Sequence, residues 1–202
     1  MQRNNQAYEA LIREGGQEAR KTVREMTEAN LKSAYAGESQ ANMRYTIYAK
    51  KAKEEGYPNV ARLFTAVAFA EQVHASNHYK NIMSKGGSVT VSTAVFGSRT
   101  TSENLQAGID GETFEINEMY PAYKKVAEFQ GEKGAEISFT WALEAEKIHA
   151  SLYQKAKQAV DREEDVDLGP IQICEVCGYT VEGDAPERCP ICRASKEKFK
   201  TF

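Results

Sequence analysis

Two short motifs, Glu71-Gln72-Val73-His74 and Glu146-Lys147-Ile148-His149, constrain this chain more than anything else in it. On a helix, residues three apart share a face, so each motif aims a carboxylate and an imidazole the same way. A lone glutamate precedes each at a nearly constant interval, Glu38 by 33 residues and Glu112 by 34. Four helices would then bring four carboxylates and two imidazoles to one place. Buried carboxylates are strongly disfavoured unless cations neutralise them. The pattern therefore predicts a helical bundle whose core holds two metal ions.

An internal repeat supports this. Sliding the chain by 74 residues superposes Gly37-Glu38-Ser39 on Gly111-Glu112-Thr113 and Lys50-Lys51 on Lys124-Lys125. Sliding it by 75 superposes Gly56 on Gly131, Phe64 on Phe139, Glu71 on Glu146 and His74 on His149. One inserted residue reconciles the two offsets. Two helix pairs related by a pseudo-two-fold axis would each supply half of a metal site. The symmetry breaks at Glu115, three residues after Glu112, whose counterpart is Ala41. This fifth carboxylate is expected to mark where function departs from symmetric metal storage. His78 follows His74 by one turn but has Tyr153 at its repeat position, and is set aside as a ligand. Tyr45 and Tyr120 are expected to face the core, placed to hydrogen-bond a ligand carboxylate.

Punctuation divides the rest. Residues 1–26 read as an irregular helical extension broken by Gly15-Gly16. A helix is predicted over 28–55 with Thr27 as N-cap, ending at Gly56-Tyr57-Pro58, and a second runs from there to about Lys85. Residues 86–101 form a long connection, a feature of ferritin-like bundles, which cross over between helix pairs. Helices over 102–130 and 132–162 follow, separated by Gly131. An acidic linker from Arg162 to Asp167 then leads through Gly169-Pro170 into a tail too short to build a core without a staple.

That staple is legible. Cys174-Glu175-Val176-Cys177 and Cys189-Pro190-Ile191-Cys192 are two Cys-x-x-Cys knuckles separated by eleven residues. Four thiolates so spaced make a tetrahedral sulfur site for zinc or for one iron. Gly178 permits a tight turn after the first knuckle and Pro190 stiffens the second.

Bulk properties exclude other classes. A net charge of −3 over 202 residues, without a basic cluster, argues against a nucleic-acid partner. No apolar run is long enough to span a membrane. The N-terminus lacks the apolar core of a secretory signal, so a cytoplasmic location is expected.

Taken together, these residues resemble the rubrerythrin family over about residues 27–202. Gly37-Glu38-Ser39-Gln40, Glu71-x-x-His74, Gly111-Glu112-x-x-Glu115-x-x-Glu118-Met119-Tyr120-Pro121 and Glu146-x-x-His149 match that family's di-iron helices in order. The knuckles Cys174, Cys177, Cys189 and Cys192 match its rubredoxin-like domain. The resemblance implies a mainly α protein: an extension at 1–26, a ferritin-like four-helix bundle at 27–165 and a small rubredoxin-like domain at 166–202. It implies Glu38, Glu71, Glu112 and Glu146 as di-iron carboxylates, with Glu71 and Glu146 bridging. His149 would bind one iron, and the other would exchange Glu115 for His74 on reduction. Tyr45 and Tyr120 match family tyrosines near the site.

The implied activity is reduction of hydrogen peroxide to water, with Glu115 carrying a proton. Electrons would arrive through a four-cysteine iron from an NAD(P)H-dependent reductase or a small electron carrier. The resemblance also implies a homodimer, set head to tail so that one chain's tail serves its partner's bundle, since the two centres of one chain would lie far apart. The 86–101 connection would equally permit helix exchange between subunits. Two rivals share parts of the pattern. A ferroxidase would use oxygen and has no need of the cysteine tail; a zinc-ribbon scaffold would leave the bundle glutamates without a purpose.

Overall fold

The computed structural model describes residues 3–84, 86–88 and 95–202, with side chains from residue 25 onward. Helix α1 spans Arg3–Glu54, α2 Pro58–Asn81, α3 Thr101–Phe114, α4 Tyr120–Gln130 and α5 Lys133–Val160. A single π-helical turn, Glu115–Met119, joins α3 to α4, so the two form one rod. The tail carries strands β1 Ile171–Cys174, β2 Thr180–Glu182 and β3 Phe199–Thr201, antiparallel in the order β2-β1-β3.

The buried residues of α1 explain its place. Leu31, Ala34, Glu38, Ala41, Tyr45, Tyr48 and Ala52 recur at alternating steps of three and four. That spacing is the seam of a helix packed lengthwise in a bundle, and Glu38 occupies one of its positions. Helix α5 repeats the arrangement, with Phe139, Ala142, Glu146, His149, Tyr153 and Ala156 all inward. Helix α2 is buried on nearly every side, because α1 and α5 cover two faces and β1 a third.

Two apolar clusters fill the interior. One gathers Tyr45, Tyr48, Phe64, Leu105 and Tyr153 with Ile171 and Ile173 of the tail; the other gathers Leu31, Tyr120, Phe139 and Ala142. In α1, α2 and α5 the glutamates fall between the residues of these clusters, so the polar layer sits mid-bundle with apolar plugs on either side.

Several expectations need correction. Helix α1 runs unbroken through Gly15-Gly16, and Thr27 lies within it. Instead of capping, Thr27 is buried and bonds the Gln130 side chain through its hydroxyl and its N–H. Helix α2 stops at Asn81, short of the expected Lys85, because the Glu28 carboxylate accepts the N–H groups of Met83 (2.8 Å) and Ser84 (3.1 Å) and turns the chain. Of the expected crossover, 86–88 and 95–100 are irregular; Lys85 and 89–94 lie outside the described residues, as do Met1 and Gln2. Helix α3 begins at Thr101, where Thr100 and Glu103 form a capping box.

The two repeat offsets left the place of the inserted residue unstated. The structure puts it in the π-turn, because Tyr45 and Tyr120, 75 apart, make reciprocal bonds to Glu112 and Glu38, 74 apart. A helix absorbs one extra residue as a π-bulge, and Glu115 opens that turn.

The tail is clamped to the bundle. The N-terminus of α2 has no cap from its preceding residue Tyr57; Asp165 supplies one, accepting from the N–H groups of Asn59 (2.8 Å) and Val60 (3.3 Å). Arg62 donates to the carbonyls of Leu168 and Gly169, both at 2.7 Å. Among the described residues no helix is long and apolar enough to cross a membrane.

Candidate metal centre

The polar layer is the site. Glu38 comes from α1, Glu71 and His74 from α2, Glu112 from α3, Glu146 and His149 from α5, each at most 1% exposed. His74 Nδ1 lies 2.9 Å from both Glu71 Oε2 and Glu146 Oε1. His149 Nδ1 lies 2.6 Å from Glu146 Oε2 and 3.5 Å from Glu71 Oε1. Each of these two carboxylates thus presents one oxygen to each imidazole, and the rings stack with centroids 5.9 Å apart. Two groups of converging donors result: Glu38, Glu71, Glu146 and His74 in one; Glu112, Glu71, Glu146 and His149 in the other. Glu71 and Glu146 belong to both, the geometry a bridging pair requires.

The electrostatics are those of a site built for cations. Burial, then the charge of Glu115 and of other carboxylates, pushes Glu38 well above its usual range. Burial, then Glu146 and Glu71, does the same to Glu112. Burial opposes charge on His149, but Glu146 beside it raises that imidazole to about 9. His74 is likewise raised well above its usual value by Glu146 and Glu71, against its burial. Glu38 Oε2 has no hydrogen-bond partner among the described residues, and Glu71 Oε1 and Glu146 Oε1 have none besides the imidazole nitrogens already named. Buried carboxylate oxygens so poorly satisfied fit divalent metal, which would take all of them as ligands.

Glu115 belongs to neither group of four. It is half-buried, with its carboxyl turned inward, where burial and the nearby Glu146 and Glu71 raise it well above the usual carboxylate range. The two tyrosines cross the pseudo-symmetric halves. Tyr45 on α1 donates to Glu112 on α3 at 2.8 Å, and Tyr120 on α4 donates to Glu38 on α1.

The cysteine site is compact. Sγ separations are 3.6 Å for Cys174–Cys192 and 3.5 Å for Cys177–Cys189, and all four sulfurs lie within 4.8 Å of one another. A tetrahedron with metal–sulfur bonds of about 2.3 Å has edges of about 3.8 Å. The knuckles share a backbone plan: the N–H of Gly178 donates to Cys174 O and that of Arg193 to Cys189 O. Both residues are left-handed, with φ of 82° and 66°.

The tail lies directly on the metal site of its own chain, contrary to the separation expected. Gly178 packs against the imidazole of His74, with no room for a Cβ. Thr180 Oγ1 lies 2.7 Å from His149 Nε2, and Asn77 Nδ2 donates to Val176 O at 2.8 Å. The clamps at Asp165 and Arg62 hold it there.

Matches to known proteins decide the family. Residues 29–157 match the profile described as rubrerythrin, and residues 172–200 the profile described as rubrerythrin, rubredoxin-like domain. The chain belongs to the rubrerythrin family. Rubrerythrin-2 of Clostridium acetobutylicum is 47% identical over 179 residues, covering 88% of this chain and 97% of that protein. Nigerythrin of Nitratidesulfovibrio vulgaris is 37% identical over 183 residues, covering 90% and 89%. A solved structure of fully reduced, all-ferrous nigerythrin superposes with a TM-score of 0.77 at 37% identity, covering 87% of this chain and 86% of that one. As a rubrerythrin, the chain carries a di-iron carboxylate site in a ferritin-like bundle and a four-cysteine rubredoxin-like site.

Sequence reasoning missed three polar residues beside the rubrerythrin site. His78, set aside as a ligand, is fully buried; burial, then His74, pushes it down to about 3. It backs Tyr120, with Nε2 3.1 Å from the phenol oxygen. Asn77 shares the inward face with His74 by its i, i+3 spacing, a signal that was present. Thr180 carried none.

Proposed function

We propose that this rubrerythrin is an oxidoreductase that reduces hydrogen peroxide to water, taking electrons one at a time through its own cysteine tail. The observation that carries this reading is the seating of residues 178–180, which leave the first knuckle, on both imidazoles of the bundle. The overall change is H2O2 + 2 e− + 2 H+ → 2 H2O. Bound in the bundle, two ferrous ions supply the two electrons, and a four-cysteine iron passes on their replacements.

The chain's own residues do the rest. Glu38, Glu71, Glu112, Glu146 and His149 would hold the metal pair, with Glu71 and Glu146 shared between the two positions. Glu115 and His74 would be alternative ligands at one of them. The Glu115 carboxyl, turned inward and held above the usual carboxylate range by burial and by the nearby Glu146 and Glu71, is placed to deliver a proton to a departing oxygen. Tyr45 and Tyr120 orient Glu112 and Glu38. The apolar plugs on either side exclude bulk water. Electrons come from a reductase, NAD(P)H-linked, or a small electron carrier. Residues 27–165 serve as the bundle unit and 166–202 as the electron-entry unit, with 1–26 as an extension. A homodimer that keeps the tail on its own bundle, including one that exchanges helices, fits this route without a head-to-tail pair.

The test is anaerobic stopped-flow on fully reduced, iron-loaded protein, following the visible absorption of the cysteine-ligated iron. Rapid return of the oxidised band with peroxide, and slow return with oxygen, is expected. Faster reaction with oxygen would replace this reading with a ferroxidase. Lack of a visible band would place zinc in the tail and remove the electron route.

A further inference from the structure

The two halves of the metal site are related by pseudo-symmetry, yet their imidazoles are held differently. Each histidine turns Nδ1 toward Glu71 and Glu146. The difference lies at Nε2, on the side facing the tail. His149 Nε2 is 2.7 Å from Thr180 Oγ1, and the Thr180 hydroxyl donates to Gly178 O at 3.1 Å. Thr180 and His149 are both fully buried. A hydroxyl has one hydrogen; with it committed to the Gly178 carbonyl, Thr180 Oγ1 must accept from the imidazole. Nε2 of His149 therefore carries the proton, which leaves the Nδ1 lone pair for a metal. His74 Nε2, by contrast, has no hydrogen-bond partner among the described residues and abuts Gly178, which offers no side chain.

We propose that Thr180 is a positioning residue that tethers His149 by Nε2, so that of the two metal–imidazole bonds the one at His149 is held and only the one at His74, untethered at Nε2, is free to break. The inference rests on the di-iron reading and deepens it. The bundle helices supply nearly equivalent halves apart from Glu115, which gives one half an alternative carboxylate. The tail, lying off their axis, adds a second asymmetry by tethering the imidazole of the other half. A single three-residue segment does both: Thr180 grips one ring, and Gly178 only touches the other.

The test uses the full-length chain, wild type, Thr180→Val and Thr180→Ser. Valine keeps the shape and removes the hydroxyl, leaving a buried N–H unpaired; loss of such a partner typically weakens metal binding by about 10- to 100-fold. Ferrous iron affinity of the bundle, by competition with a chelator, is expected to fall in that range for Thr180→Val and to recover for Thr180→Ser. The visible band of the cysteine iron reports whether the tail remains folded. The second readout is 15N histidine NMR on the chain loaded with zinc. In wild type, the Nε2 proton of His149 should exchange more slowly than that of His74; Thr180→Val should make the two alike.

A Thr180→Val chain with wild-type affinity and unchanged exchange would overturn the proposal. Should that variant fail to fold, the wild-type spectrum still decides: equal exchange at the two rings sinks it. Wild-type chain that binds iron at the cysteines alone would remove the di-iron reading, and the inference with it. Wild-type bundle iron with an indifferent Thr180→Val removes only the inference.

Discussion

Gly178→Ala should separate the tail from the bundle while leaving each intact. Two penalties follow from the structure. The backbone at Gly178 is left-handed, at φ 82°, which costs an alanine about 1–2 kcal/mol. That penalty is bearable, since Arg193 adopts φ 66° at the equivalent place in the second knuckle. The second penalty is the collision of the new Cβ with the His74 ring, itself wedged between Glu71 and Glu146. Overpacking of this kind costs about 1–3 kcal/mol. The tail can relieve it by lifting away, so the ratio of docked to lifted tail should fall about 5- to 150-fold. Gly183→Ala is the control: φ is 94° and its Cβ would meet open space, so it carries backbone strain alone. Denaturant unfolding should show Gly178→Ala less stable than Gly183→Ala by about 1–3 kcal/mol. Reoxidation of the reduced tail by peroxide should slow in Gly178→Ala only, with its visible spectrum unchanged. If the two variants lose the same stability and reoxidise at the same rate, the contact with His74 carries neither packing nor electrons.

Two further expectations concern the clamps. Glu28 pays for burial but is held down to about 2, against its ordinary 4.5, by the Ser84 and Met83 donors and by Lys32. A lowered folded pKa means that the unfolded chain binds more protons, so this stabilisation is complete above about pH 4.5 and disappears as pH falls toward 2. Glu28→Gln should flatten that part of the acid-unfolding curve. Asp165→Ala removes the cap on α2 and should lower stability by about 0.5–2 kcal/mol, read by thermal unfolding of the metal-loaded protein.

How far the sequence could be read depended on the kind of interaction. The Glu-x-x-His motifs and the glutamates that precede them were visible because helical spacing dictates which residues share a face. The π-turn was hidden, because one added residue leaves no compositional trace, and the match of Lys50-Lys51 to Lys124-Lys125 pointed past it. Exposed lysines recur on many helices and constrain register weakly. Gly15-Gly16 suggested a break, yet each glycine costs a helix only about 1 kcal/mol, and α1 continues through both. The docking of the tail was hidden for a different reason. Its contacts join residues 31 apart at His149 and Thr180, and 99 apart at Asn77 and Val176. No local pattern encodes such pairs.

The shared carboxylates have a consequence for how the bundle fills. Glu71 and Glu146 each offer one oxygen to either side, so neither metal position owns a complete set of ligands. A first cation would draw both carboxylates into place, leaving their outer oxygens fixed and charged beside His149 or His74. The second cation would then enter a position already assembled, having none of the first one's cost of ordering the ligands. Loading should be cooperative, with singly occupied molecules scarce at any iron concentration. Under the function proposed above, paired filling would give every loaded bundle both of the ions that a two-electron reaction needs.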